Sequence, residues 1–188
     1  MHVIRAKGYA AATIDDVCAY AGLTKGSFFH HFEGKQQLAL AAAAHFSSMA
    51  KGVFAAAPYR GLSDPLDRLL GYVDFRKAML QGDLPEWTCL LGTMVQEAYD
   101  TNPPIRRACE RGISEHAAAL EADIAEAMRK YRTGADWSAR SLALHTQAVI
   151  QGAFILAKSK NAPAVAGESL DHLRRYLELL FDRPNRRR

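Results

Sequence analysis

Apolar positions recur along the chain at spacings of three and four with almost no alternating runs, so the pattern predicts helices and no strands. Thr13 followed by Asp16 reads as a capping box, opening a short helix over "IDDVCAYA" that Gly22 stops. Thr24 caps a second short helix through "FFHHF", and Lys35 starts a much longer one over "KQQLALAAAAHFSSMAKGVFA". Before Thr13, "HVIRAKGY" reads as the end of another helix with Gly8 as its stop. After the linker "APYRGLSDP", Ser63 or Asp64 as cap and Pro65 in the first turn begin a helix through "LDRLLGYVDFRKAML", which breaks at "QGDLP". "EWTCLLGTMVQEAYD" follows and ends at "TNPP", where Asn102 and Pro103 open "IRRACERGISEHAAALEADIAEAMRKYR", halted near Gly134. "DWSARSLALHTQAVIQGAFILAKSK" and "ESLDHLRRYLELLFD" bring the total to about nine helices, without an internal repeat. The expected fold is all-α. A helix-turn-helix domain covers residues 1–50, a larger helical domain 51–182, and a basic, disordered tail 183–188.

The charge distribution sharpens this division. The net charge of +4 is uneven: residues 1–60 hold six Lys/Arg against three Asp/Glu, and residues 61–182 hold fourteen against seventeen. The tail "RPNRRR" adds four arginines. A basic front module suits a polyanionic partner. The most apolar run, "VIQGAFILA", is about half of membrane-spanning length, so no membrane partner is expected. The N-terminus has no apolar stretch followed by a cleavage site, so it does not read as a secretory signal. Three widely spaced cysteines make neither a disulfide framework nor a paired zinc motif, which points to a reduced, cytoplasmic setting.

In the front module only "GLT" separates two short helices, which is helix-turn-helix spacing. Phe28 and Phe32 lie four apart and share an inward face, whereas Lys25, Ser27, His30 and His31 fall largely on others. Polar donors at the start of such a helix suit base edges and phosphates in the major groove. A metal site is a poor alternative, because adjacent histidines point about 100° apart on a helix and no acidic or cysteine ligand lies at a helpful spacing. A purely core segment accounts for Phe28 and Phe32 but not for Lys25, His30 and His31.

"TIDDVCAYAGLTKGSFFHHFEGKQQL" resembles the signature of the TetR family of bacterial transcriptional regulators, closely over residues 4–45. "CLLGTMVQEAYDTNPPIRRACERGI" resembles the ligand-binding domain of one branch of that family. The resemblance implies that Thr13 caps its helix and reaches a phosphate, and that Thr24, Lys25, Gly26 and Ser27 open the recognition helix against the groove. Gly26 lets the backbone approach closely. His30 and His31 touch DNA backbone or base edges, Lys35 pins a phosphate, and Arg5 is a weaker phosphate candidate. Phe29 stands where the family usually has a tyrosine whose hydroxyl bonds a phosphate, so stacking on sugar is what remains to it. The family's first helix also normally extends further upstream, so an arm for the minor groove is expected to be missing.

For the larger module the resemblance implies dimerisation through the last two helices, as a four-helix bundle. Leu142, Val149, Gly152, Leu156, Leu170, Leu173, Leu177 and Leu180 form the expected interface, with a single-chain core as the alternative. It also implies a pocket for a small hydrophobic or aromatic effector, lined by Phe75, Met79, Trp87, Met94, Tyr99, His116, His145 and Phe154, with Gln96 and Gln147 as further polar tips. Read without the resemblance, the same Met/aromatic set is ordinary core filling.

Together these features lead to a ligand-responsive, sequence-specific DNA-binding regulator. It is expected to act as a repressor released by its effector, with double-stranded operator DNA and a second copy of itself as partners. The alternatives are a helical protein-interaction module, or a redox- or electrophile-responsive regulator using Cys89 or Cys109. No Glu-x-x-His pair, Gly-rich phosphate loop or Gly-x-Ser-x-Gly elbow is present, so neither an enzyme nor a cofactor or metal site is expected.

Overall fold

The structure, a computed structural model, describes residues 1–131, 134 and 136–182, so the expected tail over 183–188 lies outside the described residues. The described residues form ten α-helices and one 3-10 turn, and no strand. They are α1 (His2–Lys7), α2 (Ile14–Ala21), α3 (Lys25–His31), α4 (Lys35–Ala55), the 3-10 turn Pro58–Gly61, α5 (Pro65–Ala78), α6 (Leu84–Trp87), α7 (Leu90–Ala98), α8 (Pro103–Tyr131), α9 (Ala139–Lys160) and α10 (Pro163–Leu180).

Two boundaries differ from the sequence expectation, as does the apolar length of α4. The helix expected from Glu86 is two, because Cys89 leaves helical geometry to cap α7, its sulfur accepting from the Gly92 N–H at 3.3 Å. The last helix starts five residues before Glu168, where Asn161 in the left-handed region closes α9 and Pro163 occupies a first-turn position that needs no N–H donor. The 21-residue α4, with mean hydropathy 1.3 in its most apolar stretch, is long and apolar enough by composition to cross a membrane. That corrects the expectation that no segment reaches this length. Its apolar character comes largely from alanine, and Lys35, His45 and Lys51 interrupt it.

Contacts divide the chain into two units, with boundaries inside α4, after α6 and inside α8. The first is Met1–Val53 with Thr88–Ser114, and the second is Phe54–Trp87 with the chain from Glu115 onward. Residues 88–114 thus pack with the front helices, whereas the sequence expectation divides the chain once, after residue 50. The reason is apolar burial: Val3, Ile4, Ala39 and Ala43 pack with Leu90, Leu91, Met94, Ala98, Ile105 and Cys109 in one core. Gly8 closes α1 at φ 87, ψ 162, a region open in practice to glycine alone. Beside it Glu97 Oε2 accepts from the Ala10 N–H at 2.6 Å.

The second unit is pinned by carboxylates on its arginines. Buried Asp123 takes the Arg68 Nε–H at 2.8 Å and also binds Arg60, while Arg68 reaches on to Glu126. Asp64 caps α5 and accepts from Lys130 Nζ and the Tyr131 hydroxyl, each at 2.7 Å. Burial works against its charge, but those two bonds and the α5 amides outweigh it and hold the carboxyl down at about 2.

Helices α9 and α10 pack on each other within this unit. Four of the eight residues expected at a dimer face turn inward instead. Leu142, Leu170, Leu173 and Leu177 are buried inside the chain's own core, Leu177 at 0% exposure. The apolar residues left outside are Leu144, Ile155, Leu156, Tyr176 and Leu179, the last at 78% exposure. Val149, Gly152 and Leu180 are half-buried beside them. A Cβ on Gly152 would meet nothing within 4 Å, so the chain's own packing does not require a glycine there.

Candidate nucleic-acid interface

The turn between α2 and α3 is set by Gly22, at φ 66 and ψ 30, which lets the Leu23 N–H reach the Cys18 carbonyl at 2.9 Å. Both helices are capped at their starts. Thr13 Oγ1 accepts from the Asp16 N–H at 3.0 Å, and Asp16 accepts from the Thr13 N–H at 2.9 Å. The Lys7 ammonium, 2.5 Å away, is the leading cause that holds the Asp16 carboxyl down at about 2, followed by the Thr13 bonds. Thr24 Oγ1 accepts from the Ser27 N–H at 3.2 Å.

Helix α3 then divides its faces. Phe28 is buried and packs on Phe32 with ring centroids 5.5 Å apart. Thr24, Lys25, Gly26, Phe29, His30 and His31 are exposed, and Ser27 is half-buried. Phe29 stands 54% exposed, its ring edge-on to Phe28 at 5.2 Å, an unusual position for a phenylalanine that packs only within its own chain. Lys25 pairs with Asp15 at 2.9 Å, a contact between two exposed groups that adds little to stability. The exposed surface is thus a short row of hydroxyl, ammonium and imidazole donors around one aromatic ring.

Two phosphate candidates are placed differently from expectation. Lys35 Nζ donates to the Ala10 and Ala12 carbonyls at 3.0 and 2.9 Å and lies 4.7 Å from the Tyr9 ring. Two of its three N–H groups therefore tie the start of α4 to the loop before α2. Arg5 is half-buried and donates to the Thr88 carbonyl at 3.3 Å, so it turns inward. Tyr20 on α2 and Leu23 in the turn are also largely exposed, and the Tyr20 ring stacks on His2 at 4.9 Å.

The expected effector residues do not converge as one set. Met94 is wholly buried in the core of the first unit, and Tyr99, at the end of α7, is 63% exposed. Gln96, also in the first unit, donates to the Gly92 carbonyl of its own helix at 2.8 Å. His145 is exposed on α9, its ring 5.3 Å from Tyr176. Met79 is half-buried at the end of α5. Within the second unit, by contrast, Phe75 packs on Phe54 and Tyr59, both at 5.8 Å, and Trp87 on Phe154 at 5.4 Å. His116 lies 4.6 Å from the Phe54 ring, and its Nε2 is 2.9 Å from the Tyr72 hydroxyl, which also receives Gln147 Nε2 at 3.0 Å.

Burial, then the positive charge of Arg76, pushes His116 down to about 4. An unfolded chain protonates this imidazole near the ordinary value of about 6.5. The unfolded state therefore gains a proton that the folded state refuses, and stability falls as pH drops from about 6.5 to about 4. The full shift corresponds to about 3 kcal/mol. His116→Gln should flatten that acid limb in urea unfolding followed by circular dichroism; an unaltered limb would contradict the enclosure of His116. Cys109 is buried, and burial, with the neighbouring Cys89, pushes its thiol up to about 11, opposite to a reactive thiolate.

Two family profiles match the chain, one over its front helices and one over the helices behind them. The family profile described as "Bacterial regulatory proteins, tetR family" matches residues 1–42. That described as "Tetracyclin repressor-like, C-terminal domain" matches residues 65–173. The chain is 53% identical over 32 residues to the Transposon Tn10 TetC protein of Escherichia coli, a match covering 17% of this chain and 16% of that protein. A TetR transcriptional regulator from Chloroflexus aurantiacus superposes with a TM-score of 0.80 at 26% identity, over 94% of this chain and 88% of that one. CifR, a TetR family transcriptional regulator solved as a cysteine mutant with 26-bp double-strand operator DNA, has the same fold at 16% identity. Its TM-score is 0.76, over 93% of this chain and 90% of that one.

Proposed function

Because the chain belongs to the tetR family of bacterial regulatory proteins and is a DNA-binding transcriptional regulator, we propose that it is a homodimeric repressor released from its operator by a small hydrophobic or aromatic effector. The observation that supports the DNA-reading part is the division of α3: Phe28 is buried, and Thr24, Lys25, Phe29, His30 and His31 are exposed on a helix capped by Thr24. A helix this short makes too few contacts alone, and a two-fold dimer presents two of them to two half-sites. The face left apolar on α9 and α10, with Leu144, Ile155, Leu156, Tyr176 and Leu179 around Gly152, is the surface we assign to the second copy.

The effector acts in the second unit, on the ring cluster of Phe54, Phe75, Trp87, His116 and Phe154. It shifts the dimer between operator-matched and unmatched states only by its difference in affinity for the two. The protein works in the cytoplasm, without a membrane partner, cofactor or catalytic step. A thermal-shift screen of neutral and charged hydrophobic molecules tests the effector part; a screen in which nothing raises Tm would contradict it.

Lys25 and Ser27 separate DNA reading from folding. Lys25→Ala breaks only an exposed ion pair, so Tm should hold within a degree or two. Operator affinity should fall by about 1–3 kcal/mol if Lys25 meets a base, or lose about one unit of salt slope if it meets a phosphate. Fluorescence anisotropy against a labelled operator duplex across a salt series distinguishes these outcomes. Unchanged affinity and unchanged slope would remove Lys25 from the interface. Lys35→Ala, because of its carbonyl bonds, should instead lower the stability of the first unit.

A further inference from the structure

Arg76 lies in the last turn of α5, where sequence alone suggests a solvated charge favourable to the helix end. Its surroundings differ from those of Arg60, Arg68 and Arg174 in the same unit. Arg60 and Arg68 share Asp123, and Arg174 lies between Asp74 at 3.5 Å and Glu178 at 3.4 Å. Arg76 has no carboxylate partner among the described residues. Its guanidinium carbon instead lies 5.3 Å from the Phe54 ring centroid and 5.2 Å from that of Phe154. Its Nε is buried and has no hydrogen-bond acceptor.

Two aromatic faces partly compensate a guanidinium for lost water, but they accept none of its N–H bonds in the way an anion does. The polar groups beside it bring no negative charge. His116, on which the charge of Arg76 acts directly, is neutral at physiological pH, and it is joined to the Tyr72 hydroxyl and through it to Gln147. A cation with an unsatisfied buried donor, walled by rings and flanked by a neutral hydrogen-bonding chain, is the complement of an amphipathic organic anion.

We infer that Arg76 is the recognition point for the carboxylate of the effector, whose apolar or aromatic body packs against Phe54, Phe75, Phe154 and Trp87. The inference rests on the assignment of this ring cluster as the effector site. The planar guanidinium can offer two parallel N–H groups to a carboxylate, a match that an ammonium cannot reproduce. The His116–Tyr72–Gln147 chain orients the bound molecule without repelling it. Arg76 and Phe75 are half-buried, so each keeps part of its side chain in contact with solvent.

The test uses the full chain and a graded series of aryl-alkanoic acids, from phenylacetate to 4-phenylbutyrate, each paired with its primary amide. Calorimetry and thermal shift should show an acid binding on the order of 10–100-fold more tightly than its amide. Arg76→Gln should erase that preference, and Arg76→Lys should retain part of it; circular dichroism shows whether each variant is folded. A merely structural arginine would change Tm in both variants without altering the ratio of acid to amide affinity. Amides that bind the wild type as well as their acids, or an Arg76→Gln protein that keeps the preference, would overturn the carboxylate assignment while leaving the effector site standing. Failure of every acid to bind the wild type would also overturn it. The effector site itself would then be judged by the neutral compounds of the thermal-shift screen.

Discussion

Leu177→Glu should unfold the second unit rather than release intact monomers. Leu177 has no exposed surface and sits in the core that α9 and α10 build for their own chain, with Leu142, Leu170 and Leu173 also buried. The substitution removes a wholly buried leucine and sets a carboxylate in its place, with buried Glu178 as its neighbour in sequence and no cation assigned to receive it. Losing the leucine alone costs about 2–5 kcal/mol, and an unpaired polar group adds to this. A domain of this size has about 5–15 kcal/mol in all. Chemical denaturation should therefore show a loss of at least about 4 kcal/mol, or no folded protein. A folded variant with the wild-type midpoint would contradict the burial of Leu177.

Leu179→Glu, two residues along the same helix, should do the opposite. Its side chain is 78% exposed, so the change should move single-chain stability by less than about 0.5 kcal/mol. If the face formed with Ile155, Leu156 and Tyr176 meets a second copy, the new carboxylate is repeated by symmetry inside an apolar contact. Light scattering should then report half the wild-type mass at unchanged helicity. Operator affinity should drop on the order of 100-fold or more, because the two recognition helices no longer bind as one unit. A wild-type mass would place the dimer contact on another face.

The contrast between these two leucines shows where the sequence could be read and where it could not. Helix starts were legible because they depend on local chemistry: Thr13, Thr24, Asp64 and Asn102 each cap as their side chains allow. The two faces of α3 were legible for the same reason, since Phe28 and Phe32 are fixed four apart on a seven-residue helix and its cap. Periodicity shows that α9 and α10 carry apolar stripes, but not which stripe the chain itself covers. The stronger stripe, through Leu170, Leu173 and Leu177, is taken by the intramolecular core, and the weaker one is left outside.

Longer-range partners were beyond local reading altogether. Lys35 looked like a free cation at a helix start, yet it is bound by carbonyls more than twenty residues earlier. Arg76 occupies a last turn, where a cation is ordinary, and only the packing of Phe54 and Phe154 around it distinguishes it. Met94 and Phe154 have similar apolar character in the sequence, but they belong to the cores of different units.

The most direct test of operator reading by α3 is selection of bound duplexes from random DNA by the intact protein, followed by anisotropy on the selected sequence across a salt series. A two-fold symmetric site should emerge, its affinity should fall steeply and log-linearly with salt, and Lys25→Ala or Ser27→Ala should weaken or re-specify it. Recovery of no preferred sequence, together with binding that is absent or indifferent to salt, would contradict the account.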